Sequence, residues 1–155
     1  MAENRYDLIV IGGGPGGYVA AIRAAQLGMT TAVMEKEHLG GTCLNVGCIP
    51  TKTIFQSAEV ANTVRESARY GIGSALTGVD FPAVMRRKDG VVKQLVNGVG
   101  YLLKKNKVDF LPGEAKLLSA SEVKLGGKVY RTRNILIATG SSNAAPPIPG
   151  LKGER

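Results

Sequence analysis

The first patterned stretch of the chain is a short, mainly apolar run, residues 6–11 (Tyr-Asp-Leu-Ile-Val-Ile), with the length and β-branched content of a strand buried on both faces. A run of glycines broken by Pro15 follows, then an alanine-rich segment over residues 18–27 that predicts a helix, with Gly28 in the place of its C-cap. Residues 30–34 predict a second strand. A mixed pattern over 49–68 suits a helix that begins near the cysteines, 71–78 reads as a loop, and a further helix runs to about Asn106 with Asp80 as its N-cap and Pro82 in its first turn. Its approximate apolar stripe is Val84, Val91, Val92, Leu95, Val99 and Leu102, weakened at Gly90, Gly98 and Gly100 by about 1 kcal/mol each relative to alanine. Beyond it the period shortens. Residues 108–111, 115–118, 122–125 and 129–132 predict strands, with Gly126-Gly127 as an antiparallel turn, and 134–138 predicts a buried strand. The whole predicts a three-layer, Rossmann-like α/β fold. Its parallel sheet comes from 6–11, 30–34, 108–111 and 134–138, with a small antiparallel β-meander added. Pro146, Pro147, Pro149 and Gly150 mark an extended linker, so the expected organisation is a domain over 1–145 and a linker stub over 146–155.

Composition narrows this picture. At 155 residues, 44% hydrophobic and 21% charged, the chain suffices for one domain with a core, and its 21 glycines suggest tight turns. No apolar run approaches a membrane span, and the start lacks the pattern of a secretory signal, so no membrane partner is expected and a cytoplasmic address is the default. The net charge of +8 invites a nucleic-acid reading, but the basic residues, among them Arg86, Arg87 and Lys88, are dispersed and aromatics are only 5%. Solvated faces account for them, and no nucleic-acid partner is expected.

Candidate chemistry begins at the glycines. The G-x-G-x-x-G pattern falls on Gly12, Gly14 and Gly17, between a predicted strand and a predicted helix. The first glycine makes the turn, the second admits a pyrophosphate, and the third lets helix lie close on strand, with the helix N-terminus facing the anion. Glu35, eighteen residues past Gly17, ends the second strand where an acid can accept hydrogen bonds from ribose hydroxyls. A carboxylate there disfavours a 2′-phosphate, a preference that Lys36 moderates. An adenine dinucleotide is therefore expected.

Both cysteines, Cys43 and Cys48, lie within residues 40–52. A disulfide needs their Cα atoms within about 7 Å, whereas residues five apart on a regular helix lie roughly 8 to 9 Å apart. An oxidised pair therefore requires a departure from ideal helix, for which Gly41, Gly47 and Pro50 supply the means. Two free buried thiols are the alternative. Zinc needs more ligands than these two and His38, so no metal is expected. His38 itself is assigned no role.

In order, the glycine turn, Glu35, the dithiol and Ala-Thr-Gly-Ser at 138–141 resemble the flavin disulfide oxidoreductases, and within them the dihydrolipoamide dehydrogenase branch. The match Gly-Gly-Thr-Cys-Leu-Asn-Val-Gly-Cys-Ile-Pro-x-Lys is unbroken over residues 40–52, with Thr51 where serine is commoner. Glutathione and mercuric reductases share most of it, usually with valine in place of Leu44. The resemblance implies FAD at the first nucleotide site. Gly12, Gly14 and Gly17 would take the pyrophosphate, Glu35 with Lys36 the ribose, Ala115 the adenine side, and Gly41, Thr42, Lys52, Thr139, Gly140 and Ser141 the remainder. Cys43 would exchange with dihydrolipoamide, and Cys48 would lie against the flavin as the charge-transfer thiolate, Lys52 and a helix N-terminus lowering the thiol pKa. It further implies NAD bound by a portion absent from this chain, lipoyl domains of 2-oxo acid dehydrogenase complexes as partners, a homodimer for the longer enzyme, and no turnover by this portion alone. A non-catalytic dinucleotide-binding or assembly fragment is the alternative. Absence of a returning central strand would leave a sheet edge or apolar patch bare.

Overall fold

The computed structural model describes residues 4–142, 144–148 and 151. Six strands form one mixed sheet in the order β3-β2-β1-β6-β5-β4. The first strand, β1 (Arg5–Ile11), pairs in parallel with β2 (Thr31–Glu35) on one side and with β6 (Lys128–Ile137) on the other, and β3 (Asp109–Pro112) extends the parallel part beyond β2. Helix α1 (Pro15–Gln26) makes the crossover from β1 to β2. The longer crossover from β2 to β3 carries α2 (Gly41–Asn45), α3 (Cys48–Glu66), a 3-10 turn (Ser67–Tyr70) and α4 (Phe81–Lys105).

Alternation along the central strands sorts the core into two faces. Val10 and Val33 pack with Ala21, Leu39, Leu44, Val99 and Leu103 under the helices. Their neighbours Ile9, Ala32 and Met34 point the other way, against Val123 and Tyr130 of the meander, β4 (Ala115–Ser119), β5 (Glu122–Leu125) and the first half of β6. Both sets in β1 and β2 are fully buried, because a strand between a helical layer and a β layer has no solvent face. The three predicted layers are present.

Helix boundaries follow local chemistry. Asp80 caps α4 by accepting from the Ala83 N–H at 3.0 Å, and Pro82 lies in the first turn, where a missing N–H is not felt. Helix α1 begins at Pro15, three residues before the predicted start, because the glycine turn already curls into helix there.

Two expectations need correction. The strands predicted at 129–132 and 134–138 are one strand, β6, which pairs antiparallel with β5 over its first residues and parallel with β1 from Arg131 onward. Arg133 and Asn134 looked like a break, but a strand exposed on one face accepts polar residues without interruption. Nor is 134–138 buried: Leu136 and Ile137 are exposed, because β5 ends before reaching them. Leu117, Leu118, Ile135 and Ile137 line a shallow apolar groove at this edge, the kind of bare patch expected from the sequence. Of the predicted linker, Pro149, Gly150 and residues 152–155 lie outside the described residues; 144–148 carry neither helix nor strand. Among the described residues, no helix is long and apolar enough to cross a membrane.

At the opposite end of the central strands, Asp7 accepts hydrogen bonds from the Thr30 N–H (2.9 Å) and Thr30 Oγ1 (2.8 Å), and pairs with Arg133 at 3.3 Å. The Thr30 hydrogen bonds, aided by Arg133, hold its carboxyl below the usual carboxylate range. A depressed carboxylate pKa contributes stability above the unfolded-state value, and that contribution is lost as pH falls through the folded-state value. Asp7→Asn is therefore expected to lower the unfolding midpoint at neutral pH and to narrow its gap to the parent chain in acid. A gap independent of pH from neutrality to pH 3 would contradict this.

Candidate functional site

The carboxyl ends of β1, β2 and β6 converge on one crevice, with the reversal of strand order lying between the parallel neighbours β1 and β6, where open α/β sheets bind ligands. Gly12 ends β1 at φ +109, and a Cβ on it would strike the Ala138 carbonyl and come within 3.0 Å of the Thr139 N. A Cβ on Gly17 would collide with the Gly12 carbonyl oxygen and lie 3.3 Å from Val10 Cγ1. These two glycines are thus required by the protein's own packing. Gly14 differs: a Cβ there would meet only Gly41 Cα, at 3.9 Å. The space above the second glycine is free for a ligand, as a pyrophosphate-binding turn needs.

Glu35 closes the turn from the side. One carboxylate oxygen accepts from the Gly13 N–H and the other from the Glu37 N–H, both at 2.7 Å. The Gly113 N–H donates to the Glu35 carbonyl at 2.8 Å, so Ala115 starts β4 two residues from the same strand end. Thr139, Gly140 and Ser141 follow β6 beside Gly12 and are exposed. Lys36 is not drawn in; its ammonium faces Glu37 at 3.6 Å in an exposed pair.

The dithiol segment docks on this turn through backbone. The Gly40 N–H donates to the Gly13 carbonyl at 2.8 Å, and a Cβ on Gly41, at φ +57, would lie 2.8 Å from Gly14 Cα. The required break in the helix falls between the cysteines. Helix α2 ends at Asn45, Val46 and Gly47 leave helical geometry, and α3 starts at Cys48. Pro50 sits in the first turn of α3, where its absent N–H breaks no helical bond. Both cysteines are thiols, Cys43 half-buried and Cys48 exposed. The Cys43 thiol hydrogen-bonds to Cys48, and this, with burial, pushes its pKa up. Lys52 and the Cys48 N–H do act downward, but less strongly than the bond that needs the proton.

Two site-supporting contacts were not assigned from the sequence. Arg87, which the charge pattern assigns to a solvated face, reaches across from α4 to donate to the Thr53 carbonyl in α3 at 3.1 Å. Asn45 grips the loop ahead of Cys43 through its side-chain amide. No periodicity signals the first; a side-chain amide four residues after a glycine is a faint signal of the second.

The chain matches the family described as pyridine nucleotide-disulphide oxidoreductase over residues 6–155. It belongs to that family. Among its relatives, the dihydrolipoyl dehydrogenase of Acholeplasma laidlawii is 56% identical over 151 residues, covering 97% of this chain and 45% of that protein. The dihydrolipoyl dehydrogenase of Bacillus subtilis is 44% identical, covering 96% of this chain and 34% of that one. Among solved structures, the flavoprotein disulfide reductase RclA of Escherichia coli, in a copper(II) complex of a mutant, superposes with a TM-score of 0.78 at 29% identity, covering 95% of this chain and 31% of that one. This member of the pyridine nucleotide-disulphide oxidoreductases thus spans less than half the length of the curated relatives it matches.

Proposed function

We propose that residues 1–145 form the FAD-binding, dithiol-bearing portion of a dihydrolipoyl dehydrogenase, with 146–155 as the linker onward. The observation that carries this reading is the direct backbone docking of the dithiol segment on the glycine turn, Gly40 on Gly13 and Gly41 against Gly14. It supports a reading in which a reducible sulfur pair lies beside a nucleotide cradle. The residues present fit FAD: Gly14 leaves room for the pyrophosphate, the N-terminal end of α1 opens on that space, and the carboxylate of Glu35 stands beside the glycine turn at the end of β2, where a ribose would reach it. Lys52, Thr139, Gly140 and Ser141 would complete the lining.

When bound, FAD supplies a two-electron acceptor next to the thiols. The chain's own task is exchange. A dihydrolipoamide thiolate attacks the Cys43 sulfur of the Cys43–Cys48 disulfide and Cys48 leaves as thiolate. The second lipoamide thiolate then attacks the mixed disulfide, lipoamide departs closed, and Cys43 is released and takes up a proton. Transfer onward to NAD, lipoyl domains of 2-oxo acid dehydrogenase complexes as electron donors, a homodimer and a cytoplasmic setting complete the proposal. The 155-residue chain by itself is expected not to reduce NAD.

Flavin stoichiometry tests the reading. After incubation with FAD and removal of excess, the chain is expected to hold close to one FAD, and Gly14→Val, which fills the free space without touching the core, to lose it at least tenfold. A folded chain that takes up no FAD, or a Gly14→Val variant that takes it up as well as the parent, overturns the proposal.

A further inference from the structure

The redox pair is held by more than its cysteines. Asn45, the last residue of α2, donates through Nδ2 to two carbonyls, Leu39 O at 3.1 Å and Gly41 O at 2.9 Å. Two acceptors fix the side chain's orientation, since only the NH2 end can donate. Those carbonyls flank Gly40, whose N–H makes the bond to Gly13. One amide therefore holds both the peptide whose N–H joins the dithiol segment to the nucleotide turn, Leu39–Gly40, and the peptide that opens the Cys43 turn, Gly41–Thr42. It also closes the single turn that carries Cys43, from Gly41 to Asn45. A five-residue helix that starts on two left-handed glycines, Gly40 at φ 92 and Gly41 at φ 57, has no persistence of its own.

We infer that Asn45 is a positioning residue for the Cys43–Cys48 couple, setting how readily the disulfide closes; this rests on the redox reading above. Disulfide geometry is narrow. In the reduced chain the clamp fixes the short turn that carries Cys43, directly ahead of the bend that leads to Cys48. Without it the dithiol samples more separations, while the disulfide remains confined by its own bond. The equilibrium then moves toward dithiol, the converse of preorganisation.

The test is equilibration of the chain with glutathione and glutathione disulfide at set ratios, followed by acid quench, alkylation and mass counting of free thiols. One cysteine thiolate attacks glutathione disulfide and releases one glutathione; the second attacks the mixed disulfide and releases the other. The pair loses two electrons and two protons, and glutathione disulfide gains both. Asn45→Leu keeps the volume, adds no charge and removes both bonds. Asn45→Ser retains a hydroxyl able to reach the carbonyl four residues back, that of Gly41. The Leu variant is expected to shift the equilibrium constant about tenfold toward dithiol, about 30 mV for a two-electron couple, and the Ser variant by less, with circular dichroism unchanged. Constants within twofold of the parent in both variants overturn the assignment of Asn45 alone. Should the Leu variant fail to fold, the Ser variant decides: a parental constant overturns the assignment, a shift of threefold or more upholds it. A parent chain that forms no intramolecular disulfide at any ratio overturns the redox reading, and with it the role of Asn45.

Discussion

Gly17→Ala is expected to cost about 3 kcal/mol or more of folding stability, the upper part of the range for overpacking, because the added methyl strikes backbone rather than a yielding side chain. The Cβ would run into the Gly12 carbonyl oxygen and approach Gly12 C within 3.0 Å and Val10 Cγ1 within 3.3 Å. Relief requires α1 to lift off β1, which opens the contact with Val10, a fully buried residue. The neighbouring substitution supplies the control. Gly16 lies in the same first turn of α1 with nothing within 4 Å of its Cβ position, so Gly16→Ala is expected to be neutral or to stabilise by up to about 1 kcal/mol through helix propensity. Urea unfolding of the two variants reads both effects. Equal midpoints would show that helix and strand do not touch as described.

Glu35→Ala is expected to cost about 2 kcal/mol and to weaken FAD uptake at least tenfold. Its carboxylate accepts two charge-assisted hydrogen bonds at 2.7 Å, from Gly13 and Glu37, each worth about 1.5–3 kcal/mol when fully sheltered. Partial exposure reduces the total. Loss of the Gly13 bond releases the middle of the glycine turn, so the variant affects the cradle as well as the ribose contact. Glu35→Gln retains one acceptor and should fall between alanine and the parent in unfolding midpoint. A midpoint unchanged in Glu35→Ala would mean that the turn is held without the carboxylate. Retained FAD uptake would remove Glu35 from the site.

Much of the architecture was legible in short stretches because the signals there are local. Asp80 and Pro82 start α4, and the apolar run at β1 marks a strand buried on both faces. The break between the cysteines follows from Gly47 and the geometry a disulfide demands. β6 was not legible. Its two halves take different partners, and polar Arg133 and Asn134 at the changeover mimic a turn. Exposure at Leu136 and Ile137 depends on where β5 ends, information carried by another strand.

The site divides in the same way. The kind of chemistry available here, a thiol pair, a phosphate-admitting turn and an acid at a strand end, rests on residue type and spacing, since these dictate which backbone angles and bonds are possible. Whether they act together rests on contacts between residues distant along the chain: Gly13 with Glu35 and Gly40, Gly12 with Ala138, Cys43 with Cys48. The upward shift at Cys43 shows why. Lys52 is near in sequence and pulls the thiol down, but a hydrogen bond to Cys48, set by the bend between α2 and α3, outweighs it. Charge spacing can be read along a chain, whereas the pull of one thiol on the other exists only once the bend between α2 and α3 has brought the two cysteines together.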